Sequence, residues 1–319
     1  MVDSVERAMA SGGVYFAVSR TGMLVYAPTG DRHQLVWVDR NGAETPVTSD
    51  RGAFRNPRLS PDGKRIAVAI NDETRRSDIW IYDTERGTKN RLTSTLHNLA
   101  PVWTPDGTHV TFAGGGIAEL PAKGGGNRDL LLPPDTVRYP TSWSPDGGNL
   151  LFQADGPTGM DLWVFPRRGD PRPLLVRPFN DYEGVFSPDG KWVAYTSDES
   201  GRFQVCVGRY PDVADKVAIS RDGGAHPRWS RDGREIFYRQ GDALMAASVD
   251  ASRGLRVEKP LRLFAGHYSG ASHDSQFDVA PDGRRFVMVK SDEASTLRQI
   301  TVVQNWIEEL RQRTPAGGK

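Results

Sequence analysis

Residues 184–195 read GVFSPDGKWVAY, two apolar runs joined by the four residues Ser187-Pro188-Asp189-Gly190. Proline fixes the φ angle that the second position of a type I turn requires, and Ser and Asp side chains bond nearby backbone groups. Glycine then accepts the left-handed conformation that closes a hairpin. The segment therefore predicts two antiparallel strands joined by a tight turn.

Six copies of this four-residue turn occur along the chain, and we call each copy a turn mark. The turn marks occupy residues 60–63, 104–107, 144–147, 187–190, 230–233 and 280–283, with a divergent seventh copy at 19–22. Successive glycines lie 40 to 50 residues apart. A repeat of this length with one turn signal per unit is typical of the four-stranded blades of a β-propeller.

Each repeat contains further strand-like sequence after the turn mark. A third strand is predicted at residues 34–38, 78–82, 161–165 and 203–207, and a short fourth strand follows, for example at 173–176. Many of these runs are apolar on both faces, which suits a sheet packed between two other sheets. Most of the eight Trp residues are therefore assigned to the core. The pattern predicts an all-β fold.

The two ends of the chain decide the number of blades. After the last turn mark, residues 285–289 and 299–303 supply a second and a third strand, but no fourth strand follows. Residues 2–7 would provide it, and an N-terminal strand that closes the last blade removes an exposed sheet edge. We therefore predict a seven-bladed β-propeller of four-stranded antiparallel blades. Six blades are the alternative, if the divergent copy at 19–22 proves irregular.

The sequence changes character after the last predicted strand. Asn305-Trp306-Ile307-Glu308 resembles a capping box, and Trp306, Ile307 and Leu310 give one apolar face. These features predict a short C-terminal helix. The uniform repeat favours a single propeller domain over residues 1–313, and we expect the tail at 314–319 to be disordered.

Composition argues against several classes of function. Lys and Arg total 41 against 40 Asp and Glu, a net charge of +1 that favours neither nucleic acid nor an anionic membrane surface as a partner. No run of 18 or more apolar residues is present, so we predict no direct membrane insertion, and no targeting signal is visible. Cys206 is the one cysteine, and its strand position predicts a buried, inert thiol.

The turn marks, with the Pro-x-Trp that precedes several of them, resemble the TolB-type propeller repeat, a relative of the WD repeat. The resemblance sharpens where FNDYEGVFSPDGKWVAY (179–195) is followed by SDESGRF (197–203), GGAHPRW (223–229) and REIFY (234–238). This run looks like the C-terminal propeller of bacterial receptor-type serine/threonine protein kinases. Residues 35–42 and Asn305-Trp306 fit the same pattern, so the resemblance covers essentially the whole chain.

The resemblance implies an extracytoplasmic, periplasmic sensor domain that follows a membrane helix, with the kinase on the other side. The chain itself lacks G-x-G-x-x-G over a predicted strand, H-R-D and D-F-G, so we predict no kinase activity. It also lacks G-x-S-x-G, H-E-x-x-H and a P-loop. We expect either a separated sensor domain of a longer kinase or a free-standing relative.

The predicted ligand-binding residues lie at one mouth of the central channel. In a propeller, the residues just before each first strand converge there, and in this chain they are rich in polar and ionisable side chains. The predicted set consists of Arg55, Asn56, His97, Asn98, Arg138, Tyr139, Asp181, Tyr182, Glu183, His226, His273, Asp274 and Gln276. A polar lining that only hydrates the channel is the alternative.

Histidines within this set suggest a second hypothesis. His97, His226 and His273, with Gln276 nearby, would hold a divalent metal if they converge. Such a site would make the chain a metal-dependent carbohydrate-active enzyme of the lyase type. Otherwise we expect no cofactor.

The preferred hypothesis is a non-catalytic sensor or scaffold. Its partner would be a protein, a peptide or a cell-envelope glycan, held at the channel mouth by loop side chains on a rigid framework.

The core assignment of the tryptophans has a direct test. Replacing Trp229 by Ala should lower the free energy of unfolding by about 3–5 kcal/mol if the indole is packed between blades. Chemical denaturation followed by circular dichroism measures the change. A loss below about 0.5 kcal/mol, as for a surface substitution, would contradict the assignment.

Overall fold

The computed structural model describes residues 16–19, 23–26, 33–72, 74, 76–95, 97–134, 136–251, 254–269, 275–291, 301–304 and 306. The chain divides into two compact units. The larger unit is His33–Lys290, and the smaller unit combines Met1–Arg32 with Ser291–Lys319. The prediction of a single domain over residues 1–313 stays a prediction.

The described residues form 28 strands. In chain order they are β1 (Phe16–Val18), β2 (Leu24–Tyr26), β3 (His33–Asp39), β4 (Glu44–Pro46), β5 (Ala53–Leu59), β6 (Arg65–Asn71), β7 (Ser77–Asp83), β8 (Thr88–Arg91), β9 (Leu99–Trp103), β10 (His109–Ala113), β11 (Ile117–Pro121), β12 (Asp129–Leu132), β13 (Arg138–Trp143), β14 (Asn149–Asp155), β15 (Met160–Pro166), β16 (Arg172–Leu175), β17 (Asp181–Phe186), β18 (Trp192–Ser197), β19 (Gln204–Arg209), β20 (Ala214–Ala218), β21 (Ala225–Trp229), β22 (Glu235–Gln240), β23 (Ala243–Asp250), β24 (Arg256–Val257), β25 (Leu261–Ala265), β26 (Phe277–Val279), β27 (Arg285–Ser291) and β28 (Thr301–Val303).

Six sheets make up the described part of the larger unit, and we number them as blades 1 to 6 in the order of their turn marks. Blades 1 to 4 each contain four consecutive strands, namely β5–β8, β9–β12, β13–β16 and β17–β20. Blade 5 contains β21–β25, with β24 and β25 both paired to β23. Blade 6 takes β26 and β27 from the C-terminal side of the unit and β3 and β4 from its N-terminal side.

The first strand of each blade is its inner strand, and the inner strands of neighbouring blades contact one another around a closed ring. Strand β5 contacts β9, β9 contacts β13, β13 contacts β17, β17 contacts β21, β21 contacts β26, and β26 contacts β5. The larger unit is therefore a propeller closed by a blade that joins both ends of the unit. The predicted all-β propeller of four-stranded antiparallel blades is confirmed. Within this unit the described blades number six, the alternative count.

Two strand assignments near the ends of the chain were wrong. Residues 34–38 lie in β3, which is a third strand as predicted but completes the last blade and not the first. Residues 301–303, predicted as the third strand of the last blade, instead pair with β2 in the sheet β1–β2–β28 of the smaller unit. The reason is that β3 already occupies the position beside β27.

Several predictions for residues near the two termini of the chain concern residues that are not described. These are the strand at 2–7, the tail at 314–319 and the C-terminal helix, of which only Trp306 is described. A seventh blade stays a prediction. In the part of the chain that is described, no helix has the length and hydropathy needed to cross a membrane.

The turn mark connects the first and second strand of each blade, as predicted. In blade 1, the N–H of Gly63 donates to the carbonyl of Ser60 at 2.8 Å, and the Ser60 hydroxyl donates to Asp62 at 2.5 Å. The same hydroxyl accepts the N–H of Arg65 at 3.0 Å, and Asp62 accepts the N–H of Lys64 at 3.0 Å. The Ser and Asp side chains thus replace backbone partners that a two-strand turn leaves open.

Turn marks of neighbouring blades pack against each other. A Cβ atom at Gly63 would lie 2.7 Å from Cδ of Pro281 in blade 6, and one at Gly107 would lie 3.4 Å from Cδ of Pro61 in blade 1. At Gly283 no atom of the described part of the chain lies within 4 Å of such a Cβ. The preceding turn mark of blade 5 explains this difference, because it carries Arg231 where the other five carry proline.

Among the described residues, the core of the larger unit consists of six apolar clusters, one between each pair of neighbouring blades. Trp103, Trp143 and Trp229 lie in three of them, and each indole N–H donates to the preceding blade. The acceptors are the carbonyl of Arg58 at 2.9 Å, the hydroxyl of Thr111 at 2.9 Å and the carbonyl of Val185 at 3.3 Å. The prediction that these aromatic residues belong to the core is confirmed.

Cys206 lies in the cluster between blades 3 and 4. Burial raises the pKa of its thiol to about 11. The thiol therefore stays protonated at neutral pH, in agreement with the predicted inert cysteine.

The packing of the turn marks yields a matched pair of variants. Gly63 and Gly283 both have positive φ, +72° and +65°, so alanine at either position should cost about 1 kcal/mol of stability. Gly63→Ala should cost clearly more than Gly283→Ala, because only its new methyl group would overlap the neighbouring blade. Urea denaturation of the two variants measures the difference. Equal losses would contradict the contact between turn marks.

Candidate functional site

The inner strands of most blades carry a bulge at one shared position, four residues before the turn mark. In blades 1, 4 and 5 the pairing with the second strand shifts across this position. The bulged residue has a left-handed backbone in four blades, with φ of 51° at Asn56, 50° at Ala100, 52° at Glu183 and 62° at His226. Such angles are uncommon outside glycine, and bulges often redirect a side chain beside a functional site.

Each bulged residue needs a new acceptor for its backbone N–H, because the strand ladder is interrupted there. The N–H of Glu183 donates to Oε1 of Gln153 at 2.9 Å, and that of His226 donates to Oγ1 of Thr196 at 3.1 Å. In both cases the acceptor lies on the second strand of the preceding blade. The bulges therefore join neighbouring blades near the channel.

Gln276 and Asn56 make the corresponding link between blades 6 and 1. The N–H of Asn56 donates to Oε1 of Gln276 at 3.3 Å, and both residues are buried. Two of the predicted binding residues thus bind each other across the seam of the ring.

Four charged or ionisable side chains meet in the channel, and we call them the buried charge cluster: Arg58, Glu183, His226 and Arg228. Oε2 of Glu183 lies 3.2 Å from Nη1 of Arg228 and 3.4 Å from Nδ1 of His226. Its Oε1 lies 4.0 Å from Nη2 of Arg58 and accepts the N–H of Ser275 at 2.6 Å. Contributions from blades 1, 4, 5 and 6 therefore converge on one carboxylate.

The charge of Glu183 is maintained by its neighbours. Burial alone would raise the pKa of this carboxyl, but the guanidinium of Arg228, together with His226 and Arg58, holds the pKa well below its usual range. Glu183 is consequently ionised at neutral pH, although only 5% of its side chain is exposed.

A cavity of about 300 Å³ lies at the turn end of the inner strands, and we call it the turn-end cavity. One residue from each inner strand, two positions before the turn mark, contributes to its lining. These residues are Arg58, Val102, Ser142, Val185, Arg228 and Asp278. All six blades thus contribute one residue each to the lining. The contributed side chains are charged on blades 1, 5 and 6 and small or apolar on blades 2 to 4.

The rim of the turn-end cavity is built from the turn marks. Pro61, Pro105, Pro145 and Pro188 line it, and Arg231 stands where blade 5 departs from the proline pattern. Nη1 of Arg231 donates to the carbonyl of Pro61 at 2.9 Å. This hydrogen bond connects blade 5 to blade 1, although blade 6 lies between them in the ring. The rim is therefore apolar over blades 1 to 4 and carries one exposed cation.

The predicted residues at the opposite end of the inner strands lie mostly within strands rather than in loops. Arg55 and Asn56 lie in β5, Arg138 and Tyr139 in β13, and His226 in β21. The loop assignment was wrong, because these strands start earlier than the apolar pattern indicates and continue through the bulge.

Most of this predicted set is buried. Asn56, Asn98, Asp181, Tyr182, Glu183, His226 and Gln276 are buried, Arg55, Arg138 and Tyr139 are half-buried, and His97 is exposed. His273 and Asp274 lie outside the described residues. The structure therefore brings Glu183 and His226 together, and places much of the rest in structural contacts.

Asp181 and Tyr182 illustrate such structural contacts. Asp181 is fully buried and accepts two hydrogen bonds from Arg177, at 2.9 Å and 2.8 Å. The ring of Tyr182 packs edge-on against Phe203 at 5.4 Å and against His226 at 6.1 Å. Both side chains stabilise blade 4 at the end where its inner strand begins. We call this end of the inner strands, opposite the turn marks, the strand-start end.

The predicted metal ligands have separate surroundings. Nδ1 of His97 accepts the N–H of Ser77 at 3.1 Å, and the partial desolvation of this otherwise exposed ring, with the nearby charge of Arg55, lowers the pKa of the imidazole. His226 faces Glu183. Among the described residues, no group of three or more His, Cys, Asp or Glu side chains is arranged to hold a metal ion. A site that includes His273 stays a prediction.

A wider cleft of about 1150 Å³ lies between blades 4 and 5, beside Trp192 and Trp229. Eight of its lining residues are charged, and one of them, Glu235, accepts hydrogen bonds from Arg40 on both carboxylate oxygens at 2.6 Å and 2.9 Å. The turn-end cavity is the stronger candidate, because all six inner strands contribute to its lining.

The sequence also contains a signal for the turn-end cavity, although the described members of the predicted binding set all lie at the other end of the inner strands. The residue two positions before each turn mark is apolar or small in three repeats but Arg58, Arg228 or Asp278 in the others. A charged residue inside an otherwise apolar strand pattern is unusual and points to a site.

No protein-family model matches the chain. Among curated relatives, the uncharacterized peptidase YuxL of Bacillus subtilis is 26% identical over 168 residues, which cover 51% of this chain and 25% of that protein. Protein Atu1656 of Agrobacterium fabrum is 24% identical over 257 residues, 74% of this chain and 84% of that protein. The Tol-Pal system protein TolB of Anaeromyxobacter dehalogenans is 29% identical over 108 residues, 34% of this chain and 22% of that protein. The chain thus spans a quarter or less of YuxL and of this TolB.

Solved structures give the same fold. A putative TolB from Agrobacterium tumefaciens superposes with a TM-score of 0.65 at 21% identity, over 82% of this chain and 98% of that chain. TolB from Acinetobacter baumannii gives a TM-score of 0.54 at 21% identity, over 74% of this chain and 68% of that chain. By fold, the chain is a TolB-like β-propeller.

The depressed pKa of Glu183 predicts a pH dependence of stability. Its ionised form stabilises the folded state fully above the ordinary glutamate pKa of about 4.3, and this contribution is lost as the pH falls towards the lower folded-state pKa. Glu183→Gln should cost about 3–5 kcal/mol at pH 6, because it leaves Arg228 buried without its counter-ion. The variant should also lose less stability than the wild type between pH 6 and pH 3.

Urea denaturation at the two pH values measures both effects. Glu258→Gln, at an exposed position, is the control and should change stability by less than about 0.5 kcal/mol. An equal acid sensitivity of the wild type and Glu183→Gln would contradict the assigned role.

Proposed function

We propose that this chain is a non-catalytic binding module whose partner is a protein, and that the partner docks on the turn-end mouth of the propeller. The observation that carries this proposal is the turn-end cavity, to which all six inner strands of the larger unit contribute. Concave sites with a few convergent polar groups are the usual ligand sites of rigid scaffolds.

The rim has the composition expected of a protein contact. Four proline rings surround the opening on blades 1 to 4, and Trp103, Trp143 and Trp229 lie behind them in the lining. Interfaces combine such an apolar, well-packed surface with a small number of charged groups, and arginine is enriched there. The turn marks hold this surface in place, because each is closed by its own hydrogen bonds and those of blades 1 to 5 pack on the turn mark of the preceding blade in the ring.

The relatives support a role in the cell envelope. One of them is named as a protein of the Tol-Pal system. We therefore propose an extracytoplasmic location, with the propeller acting as the sensory part of a receptor-type kinase or as a free-standing relative.

The strand-start end provides a second, subsidiary surface in this proposal. Arg55, His97, Arg138 and Tyr139 are exposed or half-buried there and are proposed as further contacts. We also propose that residues 1–313 act as one domain.

Site-specific photo-crosslinking tests the proposed docking face. A photoreactive amino acid at Pro105, on the rim, should crosslink to a protein of a cell-envelope extract, which mass spectrometry then identifies. The matched control places the same group at Thr88, which is exposed on the outermost strand of blade 1. The crosslink should then be reproduced with the purified partner.

Two results would contradict the proposal. One is equal crosslinking from Pro105 and Thr88 to the same proteins. The other is a stoichiometric divalent ion in the purified chain that is lost in His226→Ala, since this would favour the metal-dependent enzyme.

A further inference from the structure

Arg228 has more hydrogen-bond donors than the described residues use. Its Nη1 donates to the carbonyl of Pro227 at 2.7 Å and lies 3.2 Å from Oε2 of Glu183. Its Nε is 3.8 Å from Oδ1 of Asp278, beyond hydrogen-bond distance, and among the described residues neither Nε nor Nη2 has a hydrogen-bond partner. Only 7% of the side chain is exposed. A buried guanidinium with open donors is costly unless a partner completes it.

The surroundings of these donors favour an anion. Among the lining residues of the turn-end cavity, Arg58, Arg228 and Arg231 are cationic and Asp278 is anionic. Asp278 is occupied by backbone donors, since it accepts the N–H of Leu59 at 2.8 Å and of Val279 at 2.9 Å. Glu183 is not a lining residue but contacts Arg58 and Arg228, so the site has three positive charges against two negative ones. The excess of one positive charge acts where Arg228 is buried, and electrostatic attraction is strong in such surroundings.

Arg231 extends this positive charge to the opening. Arg231 is exposed, and its hydrogen bond to the carbonyl of Pro61 joins two residues of the rim that belong to blades 5 and 1. One strand and its turn thus present a guanidinium at the lining and another at the rim, three residues apart.

We propose that the turn-end cavity binds a carboxylate group presented by the protein partner, with Arg228 as the buried anchor and Arg231 as the rim contact. The planar fork of a guanidinium matches the two oxygens of a carboxylate. A volume of about 300 Å³ suits a chain end or one acidic side chain rather than a folded surface. This inference deepens the proposed function and rests on it.

Short synthetic peptides separate the two sources of a carboxylate. The probes are acetyl-Gly-Gly-Ala with a free C-terminus, acetyl-Gly-Asp-Gly amide with an acidic side chain, and acetyl-Gly-Gly-Ala amide with neither. Titration of the full chain, followed by tryptophan fluorescence and calorimetry at low salt, measures binding. One of the first two peptides should bind at least tenfold more tightly than the neutral amide, and the tighter one identifies the source.

Arginine variants test the anchor itself. Arg228→Lys keeps the positive charge beside Glu183 but removes the planar guanidinium that can bind both oxygens of a carboxylate. The affinity for the preferred peptide should therefore fall at least tenfold. Arg231→Gln should reduce the affinity severalfold. Arg262→Gln is the matched control, because it removes an exposed arginine from the outer part of blade 5 and should change nothing.

If Arg228→Lys does not fold, the double variant Glu183→Gln/Arg228→Gln removes both charges together and should likewise lose carboxylate binding. The proposal is overturned if the neutral amide binds as well as both carboxylate peptides, if none of the three binds, or if only inorganic phosphate binds. A crosslinked partner whose affinity is unchanged in Arg228→Lys would leave the proposed docking face intact and refute the carboxylate anchor alone.

Discussion

Closure of the ring depends on two distant parts of the chain sharing one sheet. Strands β3 and β4 come from residues 33–46, whereas β26 and β27 come from residues 277–291, and together they form blade 6. Without β3, the outer edge of β27 would be open, and open edges invite pairing with other chains. The borrowed hairpin is also held by side chains: Arg40 binds Glu235 of blade 5, and Glu44 accepts hydrogen bonds from Tyr268 at 2.6 Å and Lys290 at 2.5 Å.

Local features of the fold could be predicted because their causes are local. A turn mark is stabilised by hydrogen bonds within its four residues and to the two residues that follow, so its position and the two strands it joins follow from a short segment. The partner of a third strand does not follow in the same way. Residues 34–38 show the third-strand pattern, but the pattern is shared by all blades and does not indicate which second strand lies beside it. That pairing is decided by ring closure, which is a long-range property.

The candidate site shows a similar division. The sequence indicated that polar residues of different repeats converge in the channel, and Glu183 and His226 do so. It did not reveal the bulges, because a left-handed Glu183 or His226 has no distinctive residue type, unlike a glycine. The bulges displace the polar side chains from an open mouth into buried contacts. The opposite mouth was identified only from the structure, although Arg58, Arg228 and the substitution of proline by Arg231 were visible in the repeats.

The buried charge cluster connects stability with binding. Glu183 offsets much of the desolvation cost of Arg228, but it occupies only one terminal nitrogen of the guanidinium and leaves Nε and Nη2 open. An apolar residue in place of Arg228 would pack without this cost, yet it would offer nothing to a ligand. Glu183 lies at a bulge, with its N–H bound to Gln153 and its Oε1 bound to Ser275, and these contacts hold the counter-ion beside Nη1 of Arg228. The described residues thus leave Nε and Nη2 of Arg228 for the carboxylate that we propose at the turn-end cavity.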